Sequence, residues 1–414
     1  MAEKLLARAA GEESVTPGEH VFCDVDVAMS HDGTIAVAEV MEQEGIEKVW
    51  DPDKIVTIID HIAPAHTIDD ANKKSFIRSF IEEQGIETFY EVGTGISHEV
   101  LPEQGHIRPG ELIVGIDSHT TTHGAFGAAG TGIGTTDMAY VFATGQTWFR
   151  VPETIRFNIT GEFPEHSSAK DLLLYIAGTY GTDVARYKAI EYHGSAIDAM
   201  SLDERMTLSN MTIELGGKFG FTPVDDTVTE YVDERTDKPY EPVHADSDAI
   251  YHKTYDIDVS DLVPQVAKPH MVGNVVGITD LNDVSLDQVF IGSCTDGKYE
   301  DLERAAAVLQ GHTVHPKTRL IITPASREIY MRAADAGIIK TFNEAGAVVT
   351  NSTCGACPGR GLGVLGEDEV CLSAMNRNFR GRMGADSSEI YLASSQTAAA
   401  SAVAGRIASP EEVH

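Results

Sequence analysis

Three cysteines, Cys294, Cys354 and Cys357, carry the strongest chemical signal in this sequence. The last two form a Cys-x-x-Cys pair within Ser352-Thr-Cys-Gly-Ala-Cys-Pro-Gly359, where the glycines let backbone N–H groups come close to sulfur. That spacing alone suits half a zinc site, a redox pair or an iron-sulfur motif. Three thiolates on a four-iron cluster would leave one iron without a protein ligand, a Lewis acid able to bind a hydroxyl and a carboxylate. The competitor is a Cys3His zinc site, with His98 or His119 as the fourth ligand; iron accompanied by acid-labile sulfide separates the two. The remaining cysteines, Cys23 and Cys371, sit in apolar, strand-like surroundings and read as packing residues. An odd total of five argues against a disulfide framework. His119 and His123 share helical spacing, but the glycines after them favour a loop or helix start over a metal pair.

The elements that must position these thiols have α/β grammar. Strands are predicted at 54–60, 88–91 and 112–116 with a helix at 73–84, then a strand at 154–160 and a helix at 169–177. The acidic, proline-bearing stretch 225–261 reads as an exposed excursion or linker. Beyond it the alternation is regular: strand 288–292, helix 299–309, strand 319–323, helix 326–336, strand 347–350. Such a run implies a parallel sheet with its ligand site beyond the carboxyl ends of the strands. Cys294 follows one strand end and the Cys354–Cys357 pair another. On the expectation that these strands are neighbours, the three thiols converge at one edge. Domain boundaries are expected near 152 and 283, giving 1–152, 153–283 and 284–414.

The balance of 64 acidic against 31 basic residues gives a net charge of -33, which repels polyanions and makes nucleic acid an unlike partner. Acidity spread along the whole chain suits a salt-rich cytosol, that is, a halophilic source. The apolar runs are too short to span a bilayer, and residues 1–10 read as a surface helix rather than a secretory signal. A cytoplasmic enzyme is the expectation. Gly361-Leu-Gly-Val-Leu-Gly366 matches G-x-G-x-x-G but lacks the preceding strand and following helix of a dinucleotide site. The glycines at 124–134 lack the Lys-Ser/Thr of a phosphate loop and suit tight packing instead.

Blocks in a fixed order resemble the aconitase superfamily, most closely its isopropylmalate dehydratase and homoaconitase large subunits. They are Val25-Asp-Val-Ala-Met-Ser-His-Asp-Gly-Thr34, Asp60-His61, Gly93-Thr-Gly-Ile-Ser-His98, Gly115-Ile-Asp-Ser-His-Thr120, Ser209-Asn-Met-Thr-Ile-Glu214, Gly292-Ser-Cys-Thr295, Cys354-Gly-Ala-Cys357 and Asn376-Arg-Asn-Phe-Arg-Gly-Arg382. The resemblance covers nearly the whole chain and implies a three-domain α/β/α architecture around a central cleft, without the swivelling domain of single-chain aconitases. It implies a 4Fe-4S cluster on Cys294, Cys354 and Cys357. Acid/base and orienting roles fall to Asp60 with His61, His98 with Asp117, and His119 with Glu214, since a carboxylate fixes the tautomer of a neighbouring imidazole.

Substrate contacts fall to His31, where aconitase has glutamine, to Ser118 and Asn210, and to Arg377 and Arg382 as a carboxylate clamp. The resemblance further implies a separate small subunit that supplies the missing domain. The reaction would be dehydration and rehydration of a hydroxy-dicarboxylate, 2-isopropylmalate in leucine biosynthesis or else homocitrate. From other classes, an apo-form RNA-binding sensor and a zinc-stabilised structural subunit are the alternatives. Besides the missing swivelling domain, one departure concerns the cysteine loop, which has Ala356 and Pro358 between and after the ligands and Ser352-Thr353 where a Pro-Gly is common.

Overall fold

The computed structural model describes residues 1–281 and 283–413. Its contacts group the chain into two compact units: Met1–Val92 with Ser97–Ile159 and Ala185–Ile257, and Gly93–Ile96 with Thr160–Val184 and Asp258–His414.

The first unit is built on two larger sheets and an antiparallel pair, His20–Asp24 with Gln146–Arg150. One has five strands in the order Phe89–Tyr90, Ile55–Ile58, Val27–Ser30, Leu112–Gly115, Ala129–Gly132, every neighbouring pair parallel. The strands Val27–Ser30, Ile55–Ile58 and Leu112–Gly115 are buried at every position, as parallel strands with both faces covered must be. The other sheet runs Phe219–Phe221, Ala189–His193, Thr154–Thr160, Lys253–Asp258. Both lie in one unit because the helix Leu202–Met211 packs on the 3-10 segment Ser118–Phe126: Thr121 Oγ1 donates to the Asn210 carbonyl at 3.0 Å, and Asn210 Nδ2 donates to Thr122 Oγ1 at 2.9 Å.

The second unit holds a seven-stranded sheet, ordered Val275–Gly277, Gln265–Ala267, Glu389–Leu392, Val370–Ser373, Gln288–Gly292, Arg319–Thr323, Val348–Val349. Its last five strands are parallel and the first two antiparallel additions. The helices Tyr299–Leu309, Arg327–Asp335 and Ser395–Ala404 cover it with an alanine-rich layer that is apolar except for buried Ser395, Thr397 and Ser401. The short strands Gln265–Ala267 and Val275–Gly277, placed by sequence in the middle segment, join this sheet instead.

Several expectations need correction. The stretch 225–261 is no plain linker: it contains the helix Asp226–Asp233, capped by the Asp225 carboxylate, and the strand Lys253–Asp258. The N-terminal helix Ala2–Ala10 is amphipathic, with Leu5 and Leu6 in the core. The helix Ile338–Ala345, bracketed by left-handed Gly337 and Gly346, had not been foreseen. Among the described residues no helix is long and apolar enough to cross a membrane.

Candidate active site

In the first unit, four strand ends of the parallel sheet deliver one side chain cluster, as expected of the carboxyl edge of such a sheet. His31 follows Val27–Ser30, and a hydroxyl chain holds that turn: Thr34 Oγ1 donates to Ser30 Oγ at 2.9 Å, and Ser30 Oγ pairs with Thr57 Oγ1 at 2.9 Å. Asp60 and His61 follow Ile55–Ile58. Asp32 ties these two loops together, accepting the backbone N–H groups of Asp60 at 3.0 Å and His61 at 2.8 Å, with Lys74 Nζ at 3.3 Å. The stacked rings of His31 and His61 lie 4.2 Å apart.

Asp117 is the hub. It caps the 3-10 segment Ser118–Phe126 by accepting the His119 N–H at 2.7 Å. Its carboxylate also meets His98 Nε2 at 3.0 Å, His61 Nε2 at 3.4 Å and His119 Nδ1 at 3.4 Å. His61 Nδ1 turns to Asp60 Oδ1 at 2.6 Å, and His119 Nε2 to Glu214 Oε1 at 2.9 Å. All three pairs implied by the resemblance are thus in hydrogen-bonding contact. Burial pushes the Asp117 carboxyl up, but bonds from His119, His61 and His98 outweigh it and hold the group well below the usual carboxylate range. Asp60 behaves alike: burial raises it, while His61 and the Ser97 N–H at 2.9 Å bring it down to about 2. His31 and the fully buried His123 are pushed down, chiefly by desolvation, and are neutral at pH 7. Three imidazoles around one ionised carboxylate can hold a proton and move it from ring to ring.

Ser118 is part-exposed beside this cluster. Asn210 is fully buried with its amide on Thr122, so it holds the 118–126 segment in place. Asp32, Asp60, His31 and His61 bring ligand atoms within 4.8 Å of one another. The carboxylate of Asp32 is already taken by backbone N–H groups and Lys74, which makes it scaffold rather than a metal ligand.

The second unit gathers the thiols. Cys294 lies in the short helix Ser293–Asp296, just past the strand Gln288–Gly292, the middle one of the five parallel strands. Cys354 and Cys357 follow the edge strand Val348–Val349, so the strand Arg319–Thr323 stands between the two strand ends and they are not neighbours as expected. The loop crosses that strand instead. Gly355, at φ +58°, lies where a Cβ would be 3.0 Å from the Phe290 ring and from Thr323 Oγ1, so a side chain here would be both strained and tightly packed.

The crossing brings the sulfurs together. Asn376 Nδ2 donates to Cys294 Sγ at 3.5 Å, while the Cys357 thiol reaches Asn376 Oδ1 at 3.8 Å, so the two sulfurs lie at opposite ends of one side-chain amide. A turn from Cys357 N to the Cys354 carbonyl, 3.3 Å, adds the third. Arg382 Nη2 donates to Cys357 Sγ at 3.1 Å, so this arginine bonds a site sulfur here and is not simply half of a carboxylate clamp. Arg377 is part-exposed between buried Asn376 and Asn378.

None of the five cysteines is in a disulfide, and all are buried. Burial raises the Cys23 thiol to about 12 and pushes Cys371 up further, the mark of inert packing residues. The three site cysteines fit an iron-sulfur cluster: they are sheltered and gathered about Asn376, and Cys294 and Cys357 accept amide and guanidinium donors, as cluster-bound sulfurs do. A single zinc ion suits them less. Its thiolates would stand roughly 3.8 Å apart for a Zn–S bond of about 2.3 Å, whereas among the described residues the three cysteines do not form a group within 4.8 Å.

Comparison with known proteins decides the family. The Aconitase family (aconitate hydratase) matches residues 3–283 and 277–405. The chain belongs to the aconitase family. It is a hydro-lyase of that family, whose dehydratases are generally iron-sulfur enzymes. The chain is 53% identical to the 3-isopropylmalate dehydratase large subunit 1 of Methanopyrus kandleri, over 99% of this chain and 98% of that one. It is 47% identical to a probable methanogen homoaconitase large subunit of Methanothermobacter thermautotrophicus, over 100% and 97%. A solved aconitase X from Thermococcus kodakaraensis is similar at 12% identity with a TM-score of 0.48, covering 86% of this chain and 84% of the other. The halophilic source inferred from charge finds no support among these aconitase relatives, which are thermophilic.

Residues that the sequence reading passed over are Asp32, Lys74 and Asn376, together with the buried pair Lys170 and Asp296. Asn376 heads a quoted motif without a role, and Lys170 sits inside an apolar helical run, a lysine where packing alone asks for none.

Proposed function

We propose that this chain is the cluster-bearing large subunit of an isopropylmalate dehydratase, active with a small subunit on a hydroxy-dicarboxylate. Asn376, with one amide end on Cys294 and the other on Cys357, is the observation that carries the reading. Cys294, Cys354 and Cys357 would hold the cluster, which when bound supplies a Lewis-acidic iron for a substrate hydroxyl. The chain's own part is proton transfer and orientation. His61, His98 and His119, each fixed by a carboxylate, hold the proton that a departing hydroxide needs, and Asp117 stays ionised to balance them. Ser118 in the first unit, and Arg377 and Arg382 in the second, are the residues proposed to bind substrate oxygens. Neutral His31, stacked on His61, is proposed as a further substrate contact in the first unit. The division 1–152, 153–283 and 284–414 and a cytoplasmic location go with this reading.

The test is anaerobic reconstitution with iron and sulfide, alone and with a small subunit. The proposal expects iron with equimolar acid-labile sulfide in the chain alone, negligible turnover without the partner, and turnover of 2-isopropylmalate with it. Zinc in place of iron, or robust activity of the single chain, would refute it. The 47% identical homoaconitase-type relative favours one other substrate, and faster turnover of homocitrate in the same assay would assign it.

A further inference from the structure

Lys170 is a fully buried charge that the proton-transfer group does not use. It opens the helix Ala169–Tyr180 in the second unit and is 1% exposed, surrounded along the helix by buried Leu172, Leu173 and Leu174. Its Nζ donates to the main-chain carbonyls of Ala374 and Met375, at 2.8 Å each, and stands 3.8 Å from Asp296 Oδ1. An ammonium has three N–H bonds, of which two meet carbonyls here; the Asp296 carboxylate is a charge neighbour at 3.8 Å, beyond hydrogen-bond reach. Asp296 is itself buried, its Oδ2 accepting the Ser395 N–H at 3.1 Å.

The targets matter more than the burial. Ala374 and Met375 immediately precede Asn376, the residue whose amide reaches Cys294 and Cys357. Asp296 ends the short helix that carries Cys294. A second buried lysine, Lys298, donates to the Thr295 carbonyl and pairs with Asp301 at 2.9 Å, bracing the end of the same helix. A buried ion pair is weak evidence for stability, because desolvation offsets the attraction, and its better-attested use is to fix register. Here it joins the strand-end loop after Gln288–Gly292 to the one after Val370–Ser373.

We propose that Lys170, with Asp296 as its counter-ion, is a positioning residue for the cysteine site: it pins the turn before Asn376 to the helix of Cys294 and so holds the amide against both sulfurs. The consequence for a cluster rests on the function proposed above; the effect on the thiols does not.

The test uses the full chain and the double variant Lys170→Met/Asp296→Asn, which leaves no buried charge alone and keeps an acceptor for the Ser395 N–H. Without metal, iodoacetamide labelling read cysteine by cysteine should speed up about ten-fold at Cys294 and Cys357, with Cys371, on the neighbouring strand, as protected as in the parent. After reconstitution, a ferrous chelator should strip iron about ten-fold faster from the variant. Parent-like labelling of Cys294 and Cys357 with Cys371 still protected overturns the proposal. If Cys371 also becomes reactive, the variant has opened globally and Asp296→Asn alone decides: selective labelling of Cys294 supports the pin, and an unchanged rate sinks it. A parent chain that takes up no iron counts against the proposed function and leaves the thiol result to judge Lys170.

Discussion

At the scale of single residues, the site is organised around carboxylates kept ionised against burial. Asp117 receives three imidazoles, so replacing it by asparagine removes the charge while keeping the shape, and leaves His61, His98 and His119 without a common counter-ion. Asp117→Asn should lower kcat of the two-chain enzyme by about 10²-fold or more with a smaller change in KM, the size expected when general acid-base catalysis is lost. An unchanged kcat would remove Asp117 from the chemistry. Asp60 makes a claim about stability. Its carboxyl titrates at about 2 in the fold against an ordinary 3.8, so the folded state binds the proton less readily than the unfolded chain. The stabilisation is therefore present above the ordinary value and is lost as pH falls toward 2, with a size at pH 7 of about 2 kcal/mol. Urea unfolding of the parent and Asp60→Asn should show that gap at pH 7 and roughly half of it near pH 3. A gap independent of pH would mean that Asp60 contributes by packing alone.

At the scale of elements, backbone contact positions the acid/base cluster. A Cβ on Gly124 would run into the Gly220 carbonyl, where the 3-10 segment Ser118–Phe126 meets the strand Phe219–Phe221. Gly124→Ala should destabilise the first unit by about 1–3 kcal/mol through overpacking against backbone that cannot swing aside. Because that segment begins at Ser118, right after Asp117, activity should fall before the fold is lost; a variant with parent-like melting and kcat would show that the contact gives way freely. The same elements show what could be read from sequence. The strands Gln288–Gly292 and Arg319–Thr323 and the helix Tyr299–Leu309 fall where the pattern put them, because runs of apolar residues punctuated by glycine and proline have one compact reading. The helix Asp226–Asp233 was obscured because only Val228 and Val232 are buried among acids. The pairing of each histidine was not legible from spacing: His98 and Asp117 are 19 residues apart, and His119 and Glu214 are 95 apart. Those pairs came from family resemblance, and Lys170 came from neither, since its partners meet only when two strand-end loops converge on its helix.

For the molecule as a whole, the excess of 33 negative charges acts whatever the source organism. The repulsion is uneven. Residues 225–261 hold 12 acids and 3 bases, an excess of 9 in 37 residues, against an excess of 33 in all 414. That stretch supplies the helix Asp226–Asp233 and the strand Lys253–Asp258, both with few buried side chains to offset the charge. Raising KCl from 0.1 M to 1 M shortens the screening length from about 10 Å to about 3 Å and should weaken like-charge repulsion more than the close, buried pairs. The melting temperature of the first unit should therefore rise by several degrees, about 1–2 kcal/mol, with the steepest gain at the low-salt end. Hydrogen exchange should slow most in 226–233 and 253–258, whereas Gln288–Gly292 in the second unit, buried at all five positions, should change least. A melting temperature that climbs linearly past 1 M with uniform protection would point to general salting-out of apolar surface instead, and one that falls would show that attractive surface pairs outweigh the net charge.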